Sequence, residues 1–264
     1  MKVLSLTTTT TVPKPNYTEL ILRLAWTDFK LRYQGSVLGF LWTLLKPLLQ
    51  FAVLYTVFSV FMRLAIPNYQ LYLLLGILIW NYFSEGTNTG LFALANKANI
   101  IKKVYFPRII VIVAASLHTL LTLLINLLIF FAFFFFFGHQ LQWTAILFIL
   151  LLILLYGLVL GLSLLLSVFY LKFRDINQIW EVFLMAGFYL SPIIYPLEFI
   201  PEEYRLILFL NPITGIIQYA RLLLLEGQLP SLMGTLYVSG FTLTTLLLGF
   251  WLFSRNAYRA AEEL

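Results

Sequence analysis

Six long apolar runs divide this chain: 38–61, 71–93, 109–137, 144–171, 178–195 and 232–253. Each is near or beyond the roughly 18–20 residues that cross about 30 Å of hydrocarbon. They are continuous blocks, unlike the ten-residue alternating segments of a membrane β-barrel. The pattern predicts an all-α polytopic membrane protein, with one transmembrane domain over 1–264. A further stretch, "LILFLNPITGIIQYARLLLLE" at 206–226, is long enough to span, but Asn211, Pro212 and Gly215 interrupt it and it carries Arg221. Ahead of the first run lies "YTELILRLAWTDFKLRYQ", residues 17–34. On a helix it sets Leu22, Trp26, Phe29 and Tyr33 on one face, and Glu19, Arg23, Thr27, Lys30 and Gln34 on another. Such a helix suits the headgroup layer. Residues 1–16 before it read as a disordered tail.

Composition agrees with the pattern. Hydrophobic residues make up 61% of the 264 and charged residues 11%, where a soluble domain carries about a quarter charged. The formal net charge of +6 reads as the basic excess of cytoplasmic loops, so no nucleic-acid partner is expected. With the N-terminus inside, Lys2, Lys14, Arg23, Lys30 and Arg32 lie at the cytoplasm. Lys97, Lys102, Lys103, Arg108, Lys172 and Arg174 join them. A re-entrant 206–226 keeps Arg255 and Arg259 inside as well, whereas a spanning one would place them outside. The expectation is six spans plus a re-entrant hairpin on the outer side, with both termini cytoplasmic. A broken helix at membrane depth needs protein or a wet cavity around it. The chain has no cysteine, which excludes disulfides and thiolate metal sites. The apolar stretch after Lys2 ends at the threonine run 7–11, so no cleavable signal peptide is expected.

Catalytic material is sparse. No GxxxxGK[ST] loop occurs, hence no nucleotide-binding domain. His118 and His139 are the only histidines, and no HExxH spacing exists. No catalytic residue, metal or cofactor is expected in this chain. Polar residues inside the runs say more. Asn81, Glu85 and Asn88 recur at i, i+4, i+7, and His118, Thr122 and Asn126 at i, i+4, i+8. An ionised group at mid-bilayer costs about 2.5–3.5 kcal/mol on insertion scales, so Glu85 should face the bundle or a wet path. These residues are pore-lining candidates, with Tyr189; interhelical hydrogen bonding is the alternative. Lys46 lies beside Pro47, about 23 Å from Phe61 along a helix. It reads as a snorkelling anchor or as a contact for an anionic substrate. Lys30 and Arg32 are further candidates for a lipid-linked phosphate. Gly157 and Gly161 form a GxxxG pattern, whose ordinary meaning is close helix packing.

The order of motifs resembles polysaccharide-export permeases of the type-2 ABC transporter family. "LAWTDFKLRYQGSVLGFLWTLLKPLL" (24–49) is similar to their amphipathic entry and first span, and "NYQLYLLLGILIWNYFSEGTNTG" (68–90) to their second. "NKANIIKKVYFPR" (96–108) resembles their cytoplasmic loop, and "LSPIIYPLEFIPEEYRLILFLNPITGIIQYAR" (190–221) their outer gate. Exporters of lipid-linked O-antigen and of teichoic acid are the most similar by pattern. The resemblance implies a coupling helix over 96–105, carried by Asn96, Lys97, Asn99, Ile100, Ile101, Lys102, Lys103, Val104 and Tyr105. The apolar members, Ile100, Ile101, Val104 and Tyr105, suit a docking surface better than a loop that only sets topology. An outer gate over 196–226 follows too, with Pro196, Asn211, Pro212 and Arg221 in it and the outer-gate residues Pro192 and Tyr195 just ahead of it. Implied partners are a second copy of the chain, two ATPase subunits holding ATP and Mg, membrane lipids and a lipid-linked polysaccharide. The implied location is the bacterial inner membrane. A small-molecule ABC exporter, or a membrane-embedded glycosyl- or acyltransferase, is the alternative.

Overall fold

The computed structural model describes residues 16–64, 66–104 and 106–256. Among these every regular element is helical. The first is α1, Tyr17–Tyr33, started by Asn16, whose side chain accepts from the Glu19 amide. Helix α2, Leu41–Tyr55, carries Pro47 inside and continues as a π-helical turn, Thr56–Phe61. Then follow α3 (Tyr69–Asn96), the short α4 (Ala98–Lys103), α5 (Ile109–Phe136) and α6 (Ala145–Lys172). After them come α7 (Ile176–Leu190), α8 (Glu202–Phe209), α9 (Pro212–Arg221) with a π-helical end at Leu222–Glu226, and α10 (Leu232–Asn256).

Among the described residues four helices are long and apolar enough to cross a membrane: α2 with its π-turn, α5, α6 and α10. The pair α8 and α9, bent by 105°, makes a fifth if counted as one span. This is fewer than the six spans expected from the runs, for two physical reasons. Helix α3 has the length, at 28 residues, but Asn81, Glu85, Asn88 and their neighbours dilute its apolar content. It tolerates them because it is the central helix, buried along most of its length and packed against α2, α5, α6, α7 and α9. Helix α7 stops at Leu190 after 15 residues, about 22 Å of rise, because the chain breaks ahead of Pro192.

Close packing at α6 and α10 follows from small residues. A Cβ on Gly161 would sit 2.8 Å from the Leu246 backbone nitrogen, and one on Gly249 would sit 2.5 Å from the Gly161 carbonyl oxygen. The GxxxG pattern is thus where two backbones approach. The main apolar core gathers Leu71, Leu74, Ile77, Phe130, Leu158 and Ile217 around α3. A smaller cluster, with Leu94, Ile112, Leu164 and Phe253, closes the bundle end near α4.

Helix α1 lies against α5. The side it buries carries Ala25 and Phe29, with Leu24 and Asp28 half-buried, while Leu22 and Trp26 stay exposed. The packed face is therefore turned by roughly a quarter of a revolution from the apolar stripe expected from the sequence. The 1–15 tail and Arg259 fall outside the described residues.

Candidate functional site

One cavity of about 410 Å³ opens between the end of α1, α2, α3 and α5. Helix α3 contributes Asn81, Glu85 and Asn88; α5 contributes Thr119, Thr122 and Asn126; α2 contributes Thr43, Lys46 and Gln50; and Arg32 stands at its mouth. Asn81 donates to Gln50 at 2.9 Å, joining α3 to α2. Four buried polar atoms around this space have no hydrogen-bond partner among the described residues: Thr43 Oγ1, Tyr82 Oη, Asn88 Oδ1 and Asn126 Oδ1. Buried polar groups are normally satisfied, so this wall fits a hydroxyl-rich or hydrated occupant. The charges are equally specific. Arg32 and Glu85 form an ion pair across the mouth, and Lys46 on α2 adds a second cation to the lining.

Five of the seven sequence-derived pore-lining candidates thus meet in one place, together with Arg32 and Lys46. The others do not. His118 is buried, with its ring edge-on to Phe29 at 6.0 Å between centroids. A stripe at i, i+4, i+8 drifts by about 40° per step, which carries His118 off the face of Thr122 and Asn126 while Thr119 turns onto it. Lys30 lies over the exposed Trp26 ring at 5.4 Å. Tyr189 sits exposed near the opposite end, where its carbonyl accepts from the Tyr195 hydroxyl at 2.9 Å. The lining residues Thr43 and Gln50 were readable in the sequence, since they flank Lys46 at i−3 and i+4 on α2.

Toward the α4 end, Lys97 pairs with Asp28 of α1. Lys97 is also the residue between α3 and α4, so α1 is tied to the base of α4. Asn96, Asn99, Ile100, Lys102, Lys103 and Val104 are exposed there, while Ile101 packs against the small core cluster. The helix is shorter than the expected 96–105, and Tyr105 lies outside the described residues. A second hollow, of about 460 Å³, adjoins it between Ile101, Val104, Pro107 and Phe253.

At the other end the outer-gate candidates form a cross-braced corner. Arg221 is 1% exposed. Its guanidinium carbon lies over the Tyr72 ring, 3.3 Å from the centroid. It donates to the carbonyls of Pro192 at 2.7 Å, Ile193 at 2.9 Å and Tyr72 at 3.1 Å. Tyr69 donates to the Ile194 carbonyl and Tyr72 to that of Tyr195, at 2.9 and 3.2 Å, which pins the 191–196 turn, with Pro196 half-buried, to α3. Asn211 caps α9 by accepting from the Ile213 amide and donates to Ser191 Oγ, with Pro212 in the first helical turn.

Among the described residues no group of His, Asp or Glu could hold a metal ion. The chain is similar over nearly its whole length to export permeases. An O-antigen export system permease protein of Klebsiella pneumoniae is 33% identical over 251 residues, 93% of this chain and 95% of its own. One of Myxococcus xanthus is 30% identical over 216 residues, 81% and 83% of the two chains. A polysialic acid transport protein of Escherichia coli is 27% identical over 239 residues, 89% and 91% of the two. Residues 19–225 match the ABC-2 type transporter family, and by that match the chain belongs to this family of membrane transport proteins.

Proposed function

We propose that this chain is the permease subunit of an ATP-driven exporter of lipid-linked polysaccharide, with O-antigen as the first candidate and teichoic acid the next. The observation that carries this reading is the near-full-length likeness to permeases named for export of O-antigen. The cavity supports it physically. Its amide and hydroxyl wall suits sugar hydroxyls or ordered water, and Lys46 and Arg32 suit the phosphates that join glycan to lipid.

In this reading α3 and α7 cross the membrane with the four longer helices, making six spans, and α8–α9 dips in from the outer side and returns. Both termini are cytoplasmic and the membrane is the bacterial inner one. Two copies enclose the path: α2 and α7 present bare apolar faces, including Val53, Phe61, Ile179 and Met185, that a second copy would cover. Separate ATPase subunits bind ATP and Mg and dock on α4, where exposed Ile100 and Val104 stand beside Lys102 and Lys103. Their closure would move α4, and with it α1 and the cavity mouth.

The test is the double variant Lys102→Glu with Lys103→Glu in the complex with its ATPase. Reversing two interface charges should cut glycan-stimulated ATP hydrolysis and export by about tenfold. Hydrolysis and export at wild-type rates would remove α4 as the docking element. Normal surface glycan in cells lacking the chain would remove the function itself.

A further inference from the structure

We propose that Glu85 is a built-in stand-in for the substrate's phosphate, holding Arg32 until an anionic headgroup displaces it. This inference rests on the export reading, because it assigns the cavity mouth to a phosphate-bearing lipid.

Three observations carry it. First, Arg32 and Glu85 come from segments 53 residues apart and meet at the rim of the cavity, each about 30% exposed. An ion pair with that much access to water is worth little as a brace, yet it brings a carboxylate into a helix crossing the bundle core. Second, Lys46 lines the same cavity and forms no ion pair among the described residues. The mouth therefore carries two cations and one anion, a surplus that favours an incoming anion. Third, a displaced carboxylate has somewhere to go. Asn81 and Asn88 lie one turn to either side of Glu85 on the same face of α3.

The exchange follows from the chemistry of the two anions. A pyrophosphate offers more charge and more acceptor oxygens than a carboxylate, and it can engage a guanidinium with two parallel hydrogen bonds while Lys46 holds another oxygen. Glu85 must first be released, so its hold on Arg32 lowers the apparent affinity by the fraction of time the arginine is open. A carrier needs that reduction, since a site that binds too tightly cannot let its cargo leave. The same factor raises the dissociation constant of every anion, so anions of weaker intrinsic affinity stay unbound at concentrations where a pyrophosphate still binds.

The experiment uses the full chain in phosphatidylcholine nanodiscs, with calorimetric titration of farnesyl pyrophosphate and, separately, of inorganic pyrophosphate. Glu85→Gln should bind both about tenfold more tightly than wild type, as expected if the pair is closed some nine-tenths of the time. Stronger binding of the farnesyl probe identifies the lipid-borne headgroup as the source; equal binding identifies free pyrophosphate as sufficient, and the exchange holds in either arm. In an Arg32→Gln background the gain from Glu85→Gln should shrink to under about twofold. A gain that persists undiminished there would show a plain field effect and overturn the stand-in role. Unchanged or weaker binding by Glu85→Gln overturns it too, provided Arg32→Gln and Lys46→Gln still weaken binding, and the site reading then survives. Absence of binding by every form, wild type included, overturns the phosphate site as well. Should Glu85→Gln fail to fold, Glu85→Asp retracts the carboxylate by one methylene, and a gain of about threefold is expected from it.

Discussion

Arg32 and Arg221 show two ways of placing a guanidinium in an apolar bundle. Arg221, at the 191–196 corner, is sealed between the Tyr72 ring and the carbonyls of Pro192, Ile193 and Tyr72. Every one of these contacts is made to a neutral group that cannot leave, so nothing invites an exchange. Arg32, at the cavity mouth, is about 30% exposed and meets a carboxylate that can let go. One cation fastens a corner and the other is available for trade. The lesson is that neighbours and access, more than burial alone, decide what a membrane cation does.

The largest expected effect tests the fastening. Arg221→Met leaves the loop carbonyls of Pro192 and Ile193 without donors in a dry corner, which should cost about 3 kcal/mol. Arg221→Lys should recover little, since one ammonium cannot span the three carbonyls that the planar fork reaches. Thermal unfolding in detergent reads both, and a loss under about 1 kcal/mol for the methionine variant would end the comparison. Next comes Gly76→Ala. Its Cβ would lie 2.7 Å from Arg221 Nη2 and 3.2 Å from Ile193 Cγ2, so overpacking of about 1–3 kcal/mol is expected. Combined with Arg221→Met the penalty should fall, because the closer of the two contacts is removed; full additivity would say that the two do not touch energetically. The smallest effect belongs to Arg32→Gln. Loss of this partly exposed pair should cost at most about 1.4 kcal/mol of stability, the free-energy equivalent of a tenfold closing ratio. A melting loss comparable to that of Arg221→Met would make Arg32 a second fastening.

Much of this was legible in the chain. Five of the six polar stripe positions line one cavity because residues three or four apart on a helix share a face, and α3 and α5 obey that rule. Boundaries of α5, α6 and α10 followed the apolar runs to within a few residues. What escaped was long-range or rotational. The partner of Arg221 is Tyr72, 149 residues away, and no local pattern announces it. Asp28 is one polar residue in an amphipathic stretch, and only the fold brings Lys97 to it. His118 lost its place by the drift of its own stripe. The apolar run at 178–195 hid the end of α7 at Leu190, since hydropathy does not register where a proline-bounded turn stops a helix.

The two ion pairs from α1 reach different elements. Asp28 meets Lys97 at the root of α4, and Arg32, one helical turn further along, meets Glu85 at the cavity rim. One helix, α1, thus joins the root of α4 to the cavity rim through two partly exposed ion pairs set four residues apart. Such pairs are weak as braces, so either can part without disturbing the bundle beneath.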